Sequence, residues 1–248
     1  MNTTIRPAGG LCLPDKCRVT LLALGDVGST LLMGLRLLGG DPEGKLRLLL
    51  DYTDDPHDIE DPWYSGDAAA LPPVDIIAPE QLFDGDVFLF CASRMVPDTS
   101  VTSGDVRMAQ YGLNRELAAI YARMAREKNY RGLFCVVSDP VDPLCRAAMR
   151  ESGLAPAQVR GFGLGVMHAR ALYYARRDGR FASYLTEGRA FGPHGEDLVI
   201  ANSIRNYDDA LSRQLTEQAV RANLRMRELG FKPYVAPALS SGALSLLL

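Results

Sequence analysis

Apolar residues fall in short runs divided by turn-forming segments. Val19–Leu24 is a run of strand length, and the stretch from Ser29 to Leu38 carries a helical pattern. Gly25-Asp26-Val27-Gly28 joins them, and Gly39, Gly40, Asp41, Pro42 and Gly44 stop the helix. Leu46–Leu50 is a second run, closed by Asp51. Strand, glycine turn, helix and strand in that order predict a βαβ unit, and such units imply a parallel sheet.

The alternation continues. Val74–Ile77 reads as a short strand and Asp86–Cys91 as a clearer one. The loop Ala92–Asp105 is long for a plain connector. Apolar residues from Val106 to Lys128 recur at three- and four-residue steps, which predicts a helix. Leu133–Val137 reads as a buried strand and residues 143–152 as a helix. After Val159 the glycine-rich stretch Gly161-Phe162-Gly163-Leu164-Gly165 changes the texture. Leu198–Ile204 fits a strand or a helix start, Arg213–Leu229 fits a charged amphipathic helix, and a last helical run reaches Leu248. A boundary near residues 140–160 divides the chain. Residues 1–17 read as a loose leader and Asp51–Asp67, with Trp63 and His57, as an acidic surface excursion.

Composition narrows the function classes. The 248 residues are 47% hydrophobic and 23% charged, ordinary globular values. The formal net charge of −3 offers no global attraction to nucleic acid or an anionic membrane. No apolar run reaches the ~20 residues of a membrane span. The five cysteines, Cys12, Cys17, Cys91, Cys135 and Cys145, are odd in number and point to a reducing cytoplasm rather than a disulfide framework. Cys12 and Cys17 lack the further ligands of a metal site, so no metal is expected.

The glycine turn carries candidate chemistry. A helix N-terminus presents free N–H groups and partial positive charge, which suits a pyrophosphate. Gly25 lets backbone approach the phosphate, and Gly28 permits close helix–strand packing. Asp51 lies 23 residues after Gly28, where a strand-end carboxylate accepts hydrogen bonds from an adenosine ribose and disfavours NADP. Ala23 occupies the first glycine position of the fingerprint, and Asp26 brings negative charge close to the phosphates. A tight turn with no ligand is the alternative.

Four further segments line up: Val106-Arg107 with Asn114, Val137-Ser138-Asp139-Pro140-Val141-Asp142, Met167-His168-Ala169-Arg170, and Gly192-Pro193-His194-Gly195-Glu196-Asp197. With the nucleotide turn they resemble the lactate/malate dehydrogenase family, from about Arg18 to the end of the chain. The resemblance implies an α/β fold: a Rossmann-type doubly wound parallel sheet over 18–145, then a partial α+β substrate domain over 146–248, apparently truncated. It implies NAD as cofactor, a small 2-oxo or 2-hydroxy acid as substrate, and a homo-oligomer. His194 matches the acid–base histidine, suited by an unperturbed pKa of ~6.5. Arg170 matches the arginine that forks onto the substrate carboxylate. Arg107 matches the mobile-loop arginine that polarises the carbonyl, with Ala92–Asp105 as the lid. Arg94 falls near the substrate-discriminating position. On the cofactor side stand Gly25, Asp26, Val27, Gly28, Asp51, Asn114 and Ser138.

Two positions depart from the family pattern. Met167 stands where the family pairs its histidine with an aspartate. Losing that charge is expected to lower the His194 pKa by ~1–3 units, and restoring it by Met167→Asp is expected to raise turnover. Asp139 replaces the usual asparagine. Its carboxylate can hold His194 from another side and would oppose a substrate carboxylate, and Asp139-Pro140 is a candidate cis peptide. His168 would replace the missing aspartate only if the step to Arg170 were broken. Two other readings remain: a noncatalytic relative that keeps dinucleotide binding for sensing or structure, and a protein that acts only through contacts. Both leave His194 as a loop histidine without a task.

Overall fold

The computed structural model describes residues 16–22, 25–38, 47–53, 72, 74–94, 108–195, 197–230 and 236–247. The first strand, β1 (Lys16–Leu22), leads into α1 (Asp26–Leu38), and β2 (Arg47–Thr53), β3 (Val74–Ile76) and β4 (Val87–Phe90) follow. Then come α2 (Tyr111–Glu127), β5 (Leu133–Val136), α3 (Val141–Ser152) and β6 (Val159–Gly161). All six strands pair in parallel, in the order β3-β2-β1-β4-β5-β6. This is the strand order of a Rossmann-type doubly wound sheet, and the reversal between β1 and β4 marks where such sheets open their ligand crevice.

Alternation within single strands builds two cores at once. Val87 and Leu89 of β4, with Leu133 and Cys135 of β5, pack on one face with Leu31, Leu32 and Leu35 of α1. Phe88 and Phe90, with Phe134 and Val136, pack on the other face against Ala118, Ala122 and Ala125 of α2 and Leu144 and Ala148 of α3. Side chains that alternate across a strand buried on both faces produce this result. The alanines of α2 let it approach α3 closely.

The remaining elements are α4 (Leu164–Ala175), the short α5 (Tyr184–Glu187), the antiparallel pair β7 (Arg189–Phe191) and β8 (Val199–Ala201), α6 (Asp209–Glu228) and α7 (Ala236–Ala243). A third core joins Met167, Ala171, Phe181, Tyr184, Ile200, Leu215 and Ala219. Helix α7 returns to the sheet half. Ser240 donates to the Val27 carbonyl at 2.8 Å, across 213 residues of sequence. Ala243 and Leu244 join the core on the α1 face of the sheet.

Most predicted elements form, with shifted ends. The helix read over 143–152 begins at Val141, and the amphipathic helix read from Arg213 begins at Asp209. The undecided stretch Leu198–Ile204 supplies strand β8. Cys17, Cys91, Cys135 and Cys145 are free thiols, and burial pushes Cys17, Cys91 and Cys145 up to about 12. Among the described residues no helix is long and apolar enough to cross a membrane, and no cluster of His, Cys, Asp or Glu is arranged to hold a metal. Cys12, the leader before Lys16, Trp63, His57 and residues 95–107 lie outside the described residues.

Candidate active site

Gly25 follows β1 at the sheet's crevice edge. Its carbonyl accepts from the Ser29 amide at 2.9 Å, which closes the first turn of α1. A Cβ built on Gly25 meets nothing within 4 Å, so open space lies against this backbone. Asp26 is exposed, Val27 is half-buried and Gly28 is buried under the helix. The Asp51 backbone lies in β2, paired with Thr20 and Asp75. The open space, the helix start and the polar set at the neighbouring strand ends suit a phosphate-bearing cofactor.

The carboxyl ends of β4 and β5 are tied together by polar side chains. Ser138 donates to the Ala92 carbonyl at 2.8 Å. Asn114, fully buried on α2, accepts from the Arg94 amide at 2.9 Å and donates to the Asp139 carbonyl at 2.9 Å. Its side chain also reaches the Ser93 hydroxyl and Gln110. Asn114 therefore joins the start of the long loop to the Asp139-Pro140 peptide, which is cis. Asn114→Ala removes a fully buried amide and its hydrogen bonds to the Arg94 amide and the Asp139 carbonyl. It is expected to cost about 2–3 kcal/mol in chemical denaturation, with the midpoint falling and the slope unchanged.

His194 enters from the loop between β7 and β8. Gly192 starts that loop with φ of 86°, and a Cβ there would stand 2.6 Å from the Asp197 carbonyl oxygen, so glycine is required. Contacts from α3, α4's start and the β5 turn hold His194. Its amide donates to Asp142 Oδ2 at 2.8 Å, at the start of α3. Its Nδ1 lies 2.9 Å from the Gly163 carbonyl oxygen, just before α4. Its Nε2 lies 3.9 Å from Asp139 Oδ1. The ring is buried, at 4% side-chain exposure. A carbonyl only accepts, so Nδ1 carries a hydrogen and the neutral ring has its lone pair on Nε2.

Gly163 is what lets this packing occur. A Cβ on residue 163 would stand 2.7 Å from the His194 Cβ. The sequence reading singled out neither Gly163 nor Asp142 as site residues. Asp142 stood in a quoted motif, and Gly163 stood in the glycine run that changed the chain's texture.

Met167, at the position of the missing carboxylate, lies fully buried in the third core. Arg170, three residues on, is half-buried; its Nη1 lies 3.5 Å from Met167 Sδ and donates to the Ala219 carbonyl of α6 at 3.3 Å. His168 turns elsewhere, with Nδ1 2.7 Å from the Tyr184 hydroxyl. Desolvation, then the nearby Arg189, lower the His168 pKa, while burial pushes the Tyr184 phenol up to about 12. Arg94 is exposed and lies 3.7 Å from Glu116. Arg107 lies outside the described residues.

Comparison with known proteins bears on the fold. No protein-family model matches the chain. It is 25% identical over 191 residues to an L-lactate dehydrogenase of Mesomycoplasma hyopneumoniae (strain 232), covering 75% of this chain and 58% of the relative. An L-lactate dehydrogenase of Treponema denticola is 27% identical over 198 residues, covering 76% and 58%. The solved malate dehydrogenase of Plasmodium falciparum superposes with a TM-score of 0.70 at 14% identity, covering 93% of this chain and 76% of that one. The minor L-lactate dehydrogenase of Enterococcus mundtii superposes with a TM-score of 0.68 at 17% identity, covering 94% and 77%. The chain is a divergent relative of the lactate/malate dehydrogenases. It spans somewhat over half the length of the curated dehydrogenases it matches, 58% in each case above. What it shares with the solved dehydrogenases is the fold.

Proposed function

We propose that this chain is an NAD-dependent oxidoreductase of the lactate/malate type, interconverting a small 2-oxo acid and its 2-hydroxy acid. The observation that carries the reading is the convergence of His194 on the Ser138–Asp142 turn, where β5 ends at the crevice edge of the sheet. An imidazole held there, with Nε2 as its remaining proton-transfer atom, suits general acid–base work on a substrate oxygen. Arg170 is assigned the substrate carboxylate, which requires its guanidinium to turn from the Ala219 carbonyl. Arg107 is assigned the substrate carbonyl. Asp139 borders the reacting atoms.

NAD is the cofactor proposed, and when bound it supplies the redox centre. Gly25, Asp26, Val27 and Gly28 would hold its phosphates and Asp51 its ribose. Asn114 and Ser138 would shape the pocket floor by fixing the ends of β4 and β5. The sheet half, which runs to Gly161, takes the nucleotide, and the half built on α4 and α6 takes the acid. We place the protein in the cytoplasm as a homo-oligomer.

Titration with NADH, followed by its fluorescence, is the first test. Saturable binding is expected, weakened at least tenfold by Asp51→Ala, about what one lost charge-assisted hydrogen bond is worth. NADH oxidation with pyruvate, oxaloacetate or a bulkier 2-oxo acid should follow. Binding without turnover of any acid would leave a nucleotide sensor. No binding up to millimolar NADH by folded protein would sink the proposal.

A further inference from the structure

The first turn of α1 is fixed both from within the helix and from outside it. Within the helix, the Gly25 carbonyl accepts from the Ser29 amide at 2.9 Å, and the Asp26 carbonyl accepts from the Thr30 hydroxyl at 2.7 Å. From outside, the Ser240 hydroxyl of α7 donates to the Val27 carbonyl at 2.8 Å. Ser240 is 1% exposed, so water competes poorly for that bond.

Helix α7 is seated by other contacts. Ala243 and Leu244 pack into the core on the α1 face, and Leu244 fills the space over Gly34, where a Cβ would stand 2.9 Å from its methyl carbons. On its other side α7 meets the start of α4. A Cβ on Gly242 would stand 3.6 Å from the Phe162 Cβ, and one on Gly165 would stand 3.8 Å from the Gly242 Cα. Apolar packing places the helix, and the Ser240 hydroxyl acts on the turn.

A helix N-terminus binds an anion through amides that must point at it together. Helix ends fray, and ordering a frayed turn on binding is subtracted from affinity. A buried tether from another helix removes part of that cost before the anion arrives. We propose that Ser240 is a positioning residue for the nucleotide turn, its hydroxyl holding the first turn of α1 in the geometry that receives the cofactor's pyrophosphate. The inference rests on the function proposed above and adds to the cofactor site a residue from outside the sheet half.

The test compares Ser240→Ala with Ser241→Ala, its exposed neighbour, whose hydroxyl donates to the Ala238 carbonyl within α7. In NADH titration Ser240→Ala should bind about three- to tenfold more weakly, the worth of one hydrogen bond, and Ser241→Ala should match the unaltered protein. In steady state the loss should fall on KM for NADH and leave kcat in place. Without nucleotide, amide hydrogen exchange over residues 25–31 should quicken by a similar factor, while exchange in β4 stays unchanged. Ser240→Cys, close in shape and a weak donor, is read in the same way should the alanine variant fail to fold. Unchanged NADH affinity, unchanged exchange over 25–31, an equal loss in Ser241→Ala, or a loss confined to kcat overturns this proposal and leaves the dehydrogenase reading intact. Absence of NADH binding by the unaltered protein overturns both.

Discussion

Met167→Asp is expected to destabilise the protein by about 3–5 kcal/mol and to bring no gain in turnover. From the sequence alone, restoring a carboxylate at this position promises a better-supported histidine. The structure changes that expectation. Met167 is fully buried among Ala171, Phe181, Tyr184, Ile200 and Leu215, where a carboxylate is costly even with a cation beside it. Arg170 lies close by, with Nη1 3.5 Å from the sulfur, so the new carboxylate would recruit it away from a substrate. His194 already spends Nδ1 on the Gly163 carbonyl, which leaves the aspartate nothing to orient. Thermal unfolding should show a midpoint lower by roughly 10 °C, since each kcal/mol moves a domain of this size by about 2–4 °C. A variant as stable as the parent and faster in NADH oxidation would overturn this account.

His194→Gln is expected to lower turnover by about 10²–10⁴-fold while leaving NADH affinity unchanged. Glutamine can keep a hydrogen bond with the Gly163 carbonyl, and the residue 194 amide can still donate to Asp142, so the loop should hold its place. What disappears is a group that both gives and takes a proton near neutral pH. Because the ring is nearly sealed from solvent, water is a poor substitute. Steady-state rates paired with NADH titration separate the effects. Equal losses in both would assign His194 to packing instead of chemistry.

The sheet half was legible because its signal is local. Runs such as Val87-Phe88-Leu89-Phe90 need both faces covered, and Gly25 and Gly28 punctuate strand from helix. The helix ends were less legible. Asp208 caps α6 by accepting from the Leu211 amide at 2.9 Å, so the helix starts earlier than its apolar pattern suggests. Strand β8 stayed ambiguous because it owes its form to pairing with β7, and pairing is not written in a single run. His194 stood out through its flanking glycines and the motif it completes. Its supports did not. Asp142 lies 52 residues away and acts on a main-chain amide, while Gly163 lies 31 residues away and acts through its own carbonyl. A main-chain contribution leaves almost no trace in residue identity.

Helix α7 sets when the α1 face of the sheet can be covered during synthesis. Val27 and Ser240 are 213 residues apart, yet they meet at the first turn of α1. Chains are made at about 5–20 residues per second, so roughly 10–40 s pass between the two leaving the ribosome. Throughout that interval α1 and the sheet face beneath it lack the cover of Ala243 and Leu244. The nascent sheet half therefore carries apolar surface on its α1 face that stays uncovered until α7 has been made.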